Sequence, residues 1–187
     1  NANLRRTDGR LSGAICLTEH FQPLLCFRKA RGNGVTKPAK ISCRNLWKVF
    51  GKDIPAFMAQ HDGAPSETQL KEGGYIGAVR DVSFDVHDGE ILVIMGLAGS
   101  GKSTLIRCIT RLNDPTSGEM LFDGKDLLKT TDDELIDLRR HKFGMVFQNF
   151  GLLPHRTVID NVAFPLEVRG SRREEREARA REMLKLV

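Results

Sequence analysis

The sequence predicts an α/β domain, and three observations predict it. An unbroken apolar run, Ile91–Met95, leads through a glycine-rich loop, Gly96–Gly101, into Lys102–Ile109, whose Leu105, Ile106 and Ile109 fall at helical spacing. Ala78–Val86 alternates apolar and polar residues as a half-exposed strand does, before a turn at Asp88-Gly89. The 187 residues are 40% hydrophobic and 28% charged, an ordinary globular balance, and no stretch approaches the roughly 18 apolar residues of a membrane-spanning helix.

In chain order, residues 1–40 mix short apolar pieces with Gly, Arg and Asn without sustained periodicity, and poor order is expected there. Ala14–Leu17 is too short for the apolar core of a secretory signal, so export is not expected. Ile41–Phe50 reads as a partly exposed strand. Residues 53–77 are polar, contain Pro55, Pro65 and Gly73-Gly74, and suit short helices near Pro55–Gln60 and Ser66–Lys71. The Ile91–Met95 run predicts a strand covered on both faces, usually a parallel one. Asp114–Gly118 predicts a turn, Glu119–Phe122 a short strand, Asp132–Arg140 a polar helix and Phe143–Phe147 a second buried strand. Ser171 with Glu174 predicts a capping box opening a helix whose Ala180, Met183, Leu184 and Val187 share a face.

The formal charge of +5 is confined to one end: residues 1–40 carry eight Lys/Arg against Asp8 and Glu19, and the remainder carries 21 cations against 22 anions. The main body therefore gives no electrostatic reason to expect nucleic acid as a partner. Four widely spaced cysteines make no disulfide framework and no C-x-x-C pair, so reduced thiols are expected.

Gly96-Leu97-Ala98-Gly99-Ser100-Gly101-Lys102-Ser103-Thr104 fits G-x-x-x-x-G-K-[ST], and it stands between a predicted strand and a predicted helix as that motif requires. Glycines let the loop turn its N–H groups into a concave anion site, and the helix N-terminus adds partial positive charge at the same spot. Lys102 supplies a compact cation for the terminal phosphates, and the Ser103 hydroxyl is a hard oxygen suited to Mg²⁺. Neither an Asn-Lys-x-Asp run nor an Asp-x-x-Gly switch follows the loop, which favours adenine over guanine.

Beyond the loop, Met145-Val146-Phe147-Gln148, with Gln148 46 residues past Lys102, and Gly151-Leu152-Leu153-Pro154-His155-Arg156-Thr157-Val158 resemble the Q-loop region of the nucleotide-binding domain of ABC transporters. Asp114–Gly118 and Phe122-Asp123-Gly124 resemble the same domain's turn and strand. The resemblance runs from about Ile41 to Val187. Within it, the insert between Phe50 and Ala78 and the string Val93-Ile94-Met95-Gly96 are similar to the ATPase subunits of glycine betaine/proline importers.

That resemblance implies a P-loop NTPase fold, with a mixed or parallel core sheet, helices and an antiparallel β subdomain, here incomplete. It implies residues 1–40 as an extension, 41–187 as the amino-terminal part of the ATPase domain, 53–77 as a family-type insert and 149–187 as the start of the helical subdomain. It implies ATP and Mg²⁺ as cofactors, with Gln148 reaching Mg²⁺ or the attacking water, and Phe50 as the aromatic that stacks on adenine. Trp47 competes for that role, and alternation points the two rings to opposite faces. The implied partners are a second ATPase subunit, an inner-membrane permease docked at Gln148–Val158 and, indirectly, a periplasmic substrate-binding protein. The implied location is the cytoplasmic face of the inner membrane.

Three family parts are absent from these 187 residues: a Leu-Ser-Gly-Gly-Gln-like signature, an apolar run ending in Asp-Glu, and a switch histidine, which His155 does not replace. Phosphoryl transfer needs a positioned water, so the expectation is an ATP-powered import subunit whose present residues hold ATP without hydrolysing it. No catalytic residue is assigned. The alternatives are a soluble ABC ATPase of translation or DNA repair, and a non-enzymatic nucleotide-binding fragment.

Overall fold

The computed structural model describes residues 38–149 and 151–187, and the backbone of 15–16 and 25–29. These residues form two compact units, 1–129 and 130–187.

In the first unit, β1 (Ile15–Cys16) and β2 (Leu25–Lys29) precede β3 (Ala39–Phe50), α1 (Ile54–Gln60), α2 (Glu67–Glu72), β4 (Ile76–His87) and β5 (Ile91–Met95). α3 (Lys102–Ile109), β6 (Ser117–Phe122), β7 (Lys125–Asp126) and a 3-10 turn over Leu127–Lys129 complete it. β3 is the spine of a sheet in the order β4-β3-β6-β7, with Ser42 opposite Asp85 and Leu121. It buries Cys43, Leu46 and Val49 completely, at a spacing of three because register shifts interrupt its alternation. Where β3 slips register beyond Cys43, Asn45 takes a positive φ and its side-chain amide donates to Asp81 Oδ1 at 2.7 Å, stitching the two irregular strands together.

α1 and α2 are the helices expected near Pro55–Gln60 and Ser66–Lys71. They bury Phe57, Met58 and Leu70 against Trp47 and Val49, with Ile54 and Tyr75 at the margin. Ser66 Oγ accepts from the Gln69 N–H at 3.3 Å, and the Ser66 N–H donates to Gln69 Oε1 at 2.8 Å, a capping box that starts α2. α3 buries Leu105 and Cys108 and leaves Ile106 exposed, so its inner face lies one position away from that read in the sequence.

Cys43 and Cys108 are free thiols inside this core. Burial pushes the Cys43 thiol up to about 12 and raises that of Cys108 as well. Near neutral pH both should resist an alkylating reagent in the folded chain and react after denaturation. Mass-spectrometric mapping of label on either one in the native protein would contradict this packing.

In the strands, two expectations are corrected. β5 is not covered on both faces: Ile91, Val93 and Met95 are exposed, and its partner is β2, antiparallel, with Leu25 opposite Met95. Every strand pairing among the described residues is antiparallel. An apolar run reports hydrophobicity but not the neighbour that will cover it. β1 and β2 lie within the 1–40 stretch, whose residues 1–14, 17–24 and 30–37 fall outside the described residues, as does the expectation of poor order there. Phe143–Phe147 is not a buried strand: none of its residues joins a sheet, and Val146 is 97% exposed.

The second unit holds α4 (Asp132–His141), α5 (Val158–Val168) and α6 (Arg173–Leu184). Thr131 and Glu134 form the capping box of α4. α5 and α6 make a helical hairpin closed on small residues, Ala163 and Ala180, both buried. The expected Ser171 capping box does not form, and Arg172 is the N-cap of α6. Ser171 is already committed to the preceding helix: with Gly170 at φ 81, the Gly170 N–H donates to Glu167 O at 2.9 Å and the Ser171 N–H to Leu166 O at 3.0 Å. That is a Schellman ending of α5, and it uses the residue that would have capped α6. Val187 lies past the end of α6, fully exposed, and is not on its inner face.

Candidate functional site

The loop Gly96–Gly101 carries the chain from β5 into α3. Ser100 closes its turn by donating its N–H to Leu97 O at 3.2 Å. Gly101 is the N-cap of α3 at φ 87, and no side chain caps the helix, so its first amides are left for an external acceptor. A Cβ on Gly101 would lie 1.9 Å from the Ala78 carbonyl oxygen, so β4 and the loop touch backbone to backbone at a point where only glycine fits.

Lys102 folds back over this loop. Its ammonium donates to Gly96 O at 2.7 Å, Leu97 O at 2.5 Å and Ser100 Oγ at 3.2 Å. A cation, a helix N-terminus without a side-chain cap and a turn of small residues thus converge on one spot, which suits a polyanion.

That spot opens on a cavity of ≈ 590 Å³, a size typical of small-molecule sites. Gly99, Ser100, Gly101, Lys102, Ser103 and Thr104 line it. Gly96, Leu97 and Ala98 do not, and the first two act instead through the carbonyls that hold Lys102. Of the two aromatics weighed for base stacking, Phe50 lines the cavity while Trp47 is buried in the core. Lys48 sits over the Phe50 ring, 4.9 Å from its centroid, anchored by donation to Asp114 O at 2.7 Å.

Gln148 belongs to the second unit, exposed in a bend after the irregular Phe143–Phe147 segment. Downstream of it, Asn161 organises the 153–157 turn. Its side-chain oxygen accepts from the Leu153 N–H at 2.7 Å, and its amide donates to the carbonyls of Leu153, Arg156 and Thr157 at 3.1, 3.2 and 3.0 Å. Leu152 and Val158, at the two ends of that turn, are exposed.

The sequence reading missed part of the cavity wall: Glu67 and Lys71 of α2, Tyr75 after it, and Arg80 of β4. The signal for the first two was present, since the Ser66 capping box starts a helix that sets Glu67, Leu70 and Lys71 on one face.

Comparison with known proteins identifies the family of the chain that carries this loop. The ABC transporter family model matches residues 79–187. This chain belongs to the ABC transporter family. It is 55% identical over 147 residues to the ATP-binding protein of the trimethylamine N-oxide transport system of Ruegeria pomeroyi, covering 79% of this chain and 43% of that protein. It is 46% identical over 149 residues to the glycine betaine/proline betaine transport ATP-binding protein of Escherichia coli, covering 79% of this chain and 37% of that one. Among solved structures, a dimeric ATP-binding cassette in a post-hydrolysis state bound to ADP and Pi matches with a TM-score of 0.59 and 31% identity, over 78% of this chain and 56% of that one. The expected kinship of this ABC chain with ATP-binding subunits of glycine betaine and related importers is borne out, and the chain spans less than half the length of those relatives.

Proposed function

We propose that this chain is the ATP-holding portion of a subunit that powers ABC-type import of glycine betaine/proline-like osmolytes. The observation that carries the reading is the meeting, in one cavity, of the Gly99–Thr104 phosphate loop and Phe50. The triphosphate lies at Lys102 and the first turn of α3. Adenine stacks on the face of Phe50 opposite Lys48. Mg²⁺ would be held by the Ser103 hydroxyl together with phosphate oxygens.

In the same reading, residues 41–187 are this chain's part of the ATPase domain, with 53–77 its insert and 149–187 the start of its helical subdomain. A second ATPase subunit completes the site, a membrane permease meets the Gln148–Val158 surface, and a periplasmic substrate-binding protein delivers the osmolyte. The subunit works peripherally on the cytoplasmic face of the inner membrane. Among the described residues no helix is long and apolar enough to cross a membrane. The names of the two relatives above, both ATP-binding proteins of transport systems, favour this over a role in translation or DNA repair.

Trp47 is the sole tryptophan, which makes it a donor for energy transfer to a fluorescent ATP analogue. The expected result is saturable transfer, displaced by Mg²⁺-ATP, with no release of phosphate. Phe50→Ala should weaken binding about 10-fold, the scale of one lost base–aromatic stack. No transfer from the parent chain, or full affinity in Phe50→Ala, counts against the assignment.

A further inference from the structure

The helices of residues 53–77 contain none of the phosphate-binding motif, yet one of them walls the cavity. Glu67, Leu70 and Lys71 lie on the cavity side of α2, at the i, i+3 and i+4 spacing that shares one helical face. The helix is fixed there from two sides. Its capping box locks the first turn, and Leu70, 3% exposed, anchors it in the core.

Gly77 allows the close approach of β4. A Cβ there would come within 2.7 Å of Leu70 Cδ1 and 3.0 Å of Arg80 Cδ, so the Arg80 stem lies across the space that glycine leaves empty. Arg80 thereby reaches Glu67, with Nη1 3.8 Å from Oε2, while Lys71 Nζ lies 2.6 Å from Oε1.

Among the described residues that line the cavity, Glu67 is the one acid. The phosphate end of a nucleotide calls for donors and positive charge, which the loop and Lys102 supply. The sugar end presents hydroxyl donors and calls for an acceptor. A carboxylate offers about four lone-pair sites, more than any other side chain of the cavity wall presents to a sugar hydroxyl. The flanking Lys71 and Arg80 offset its charge, which would otherwise repel a triphosphate in the same cavity.

We propose, resting on the nucleotide reading above, that Glu67 accepts hydrogen bonds from the ribose hydroxyls of the bound nucleotide, with Lys71 and Arg80 as positioning residues. The insert is then the sugar-reading wall of the site, facing the loop that reads phosphate. This goes beyond the family motif, which contains no residue of 53–77.

The test is calorimetric titration of the 187-residue chain with the Mg²⁺ complexes of ATP, 2′-deoxy-ATP, 3′-deoxy-ATP and tripolyphosphate. The parent chain should prefer ATP over at least one deoxy analogue by about 10-fold, the scale of a hydrogen bond to a charged group. Glu67→Ala should abolish that preference while tripolyphosphate binding is kept or strengthened, because Lys71 and Arg80 lose their counter-charge, and Glu67→Gln, which keeps an acceptor, should restore part of the preference. Equal binding of ATP and both deoxy analogues by the parent chain overturns the proposal. So does a preference that survives in Glu67→Ala, or loss of tripolyphosphate binding in that variant. If the parent chain binds neither tripolyphosphate nor ATP, the nucleotide reading itself falls and takes this one with it.

Discussion

Replacing Gly101 by alanine is expected to lower the stability of the first unit by roughly 3 kcal/mol and to remove nucleotide binding with it. Two costs combine. The residue sits at φ 87, a conformation that an L side chain adopts only under strain, and the new Cβ would come 1.9 Å from the Ala78 carbonyl oxygen. That oxygen belongs to the backbone of β4, which cannot swing aside as a side-chain tip can, so either the loop or the strand must move. Gly99 provides the control. Its φ is 80 but nothing lies within 4 Å of its Cβ position, so Gly99→Ala should cost only the conformational term, on the order of 1 kcal/mol. Chemical denaturation of both variants separates the terms, and equal midpoints would show that the Ala78 contact is not what fixes the loop.

Lys102→Ala should weaken ATP binding by roughly 10- to 150-fold, the worth of a charge-assisted contact of about 1.5–3 kcal/mol. In the present structure the ammonium is satisfied by Gly96 O, Leu97 O and Ser100 Oγ. An arriving phosphate therefore competes with carbonyls already in place, and the net gain is smaller than for a bare cation. Lys102→Arg should rescue little, because a planar guanidinium does not reproduce a compact point charge inside a small ring of carbonyls. Fluorescence titration against the parent chain measures the loss. Undiminished affinity in Lys102→Ala would place the polyphosphate elsewhere.

Much of the first unit was legible because its signals are local. The alternation of Ala78–Val86, the glycines before Lys102 and the paired punctuation around Pro55 and Pro65 act over a few residues, and β4, α3, α1 and α2 appear where those signals put them. What failed depended on distant partners. Phe143–Phe147 has strand composition, but a strand exists only when another edge accepts its hydrogen bonds, and no described strand does so. Ile91–Met95 is a strand, as read, yet its pairing with Leu25–Lys29 crosses more than 60 residues and leaves no local trace.

Ser171 illustrates a different failure. Two helix ends competed for one residue, and the glycine before it decided the outcome in favour of α5. In the site, the phosphate loop was readable as a motif because consecutive residues act together there. Glu67, Lys71 and Arg80 were not: the Ser66 helix start sets Glu67 and Lys71 on one face, but only the packing of α2 over Gly77 turns that face, with Arg80, to the cavity.

The side chain of Asn161 ties both ends of the 153–157 turn to the helix that follows. Exposed Leu152 and Val158 therefore stand on a frame whose shape is settled within the chain itself. A visitor to this surface meets a rigid template, so the entropy of ordering the turn has been spent during folding and its capture should proceed without an induced-fit step.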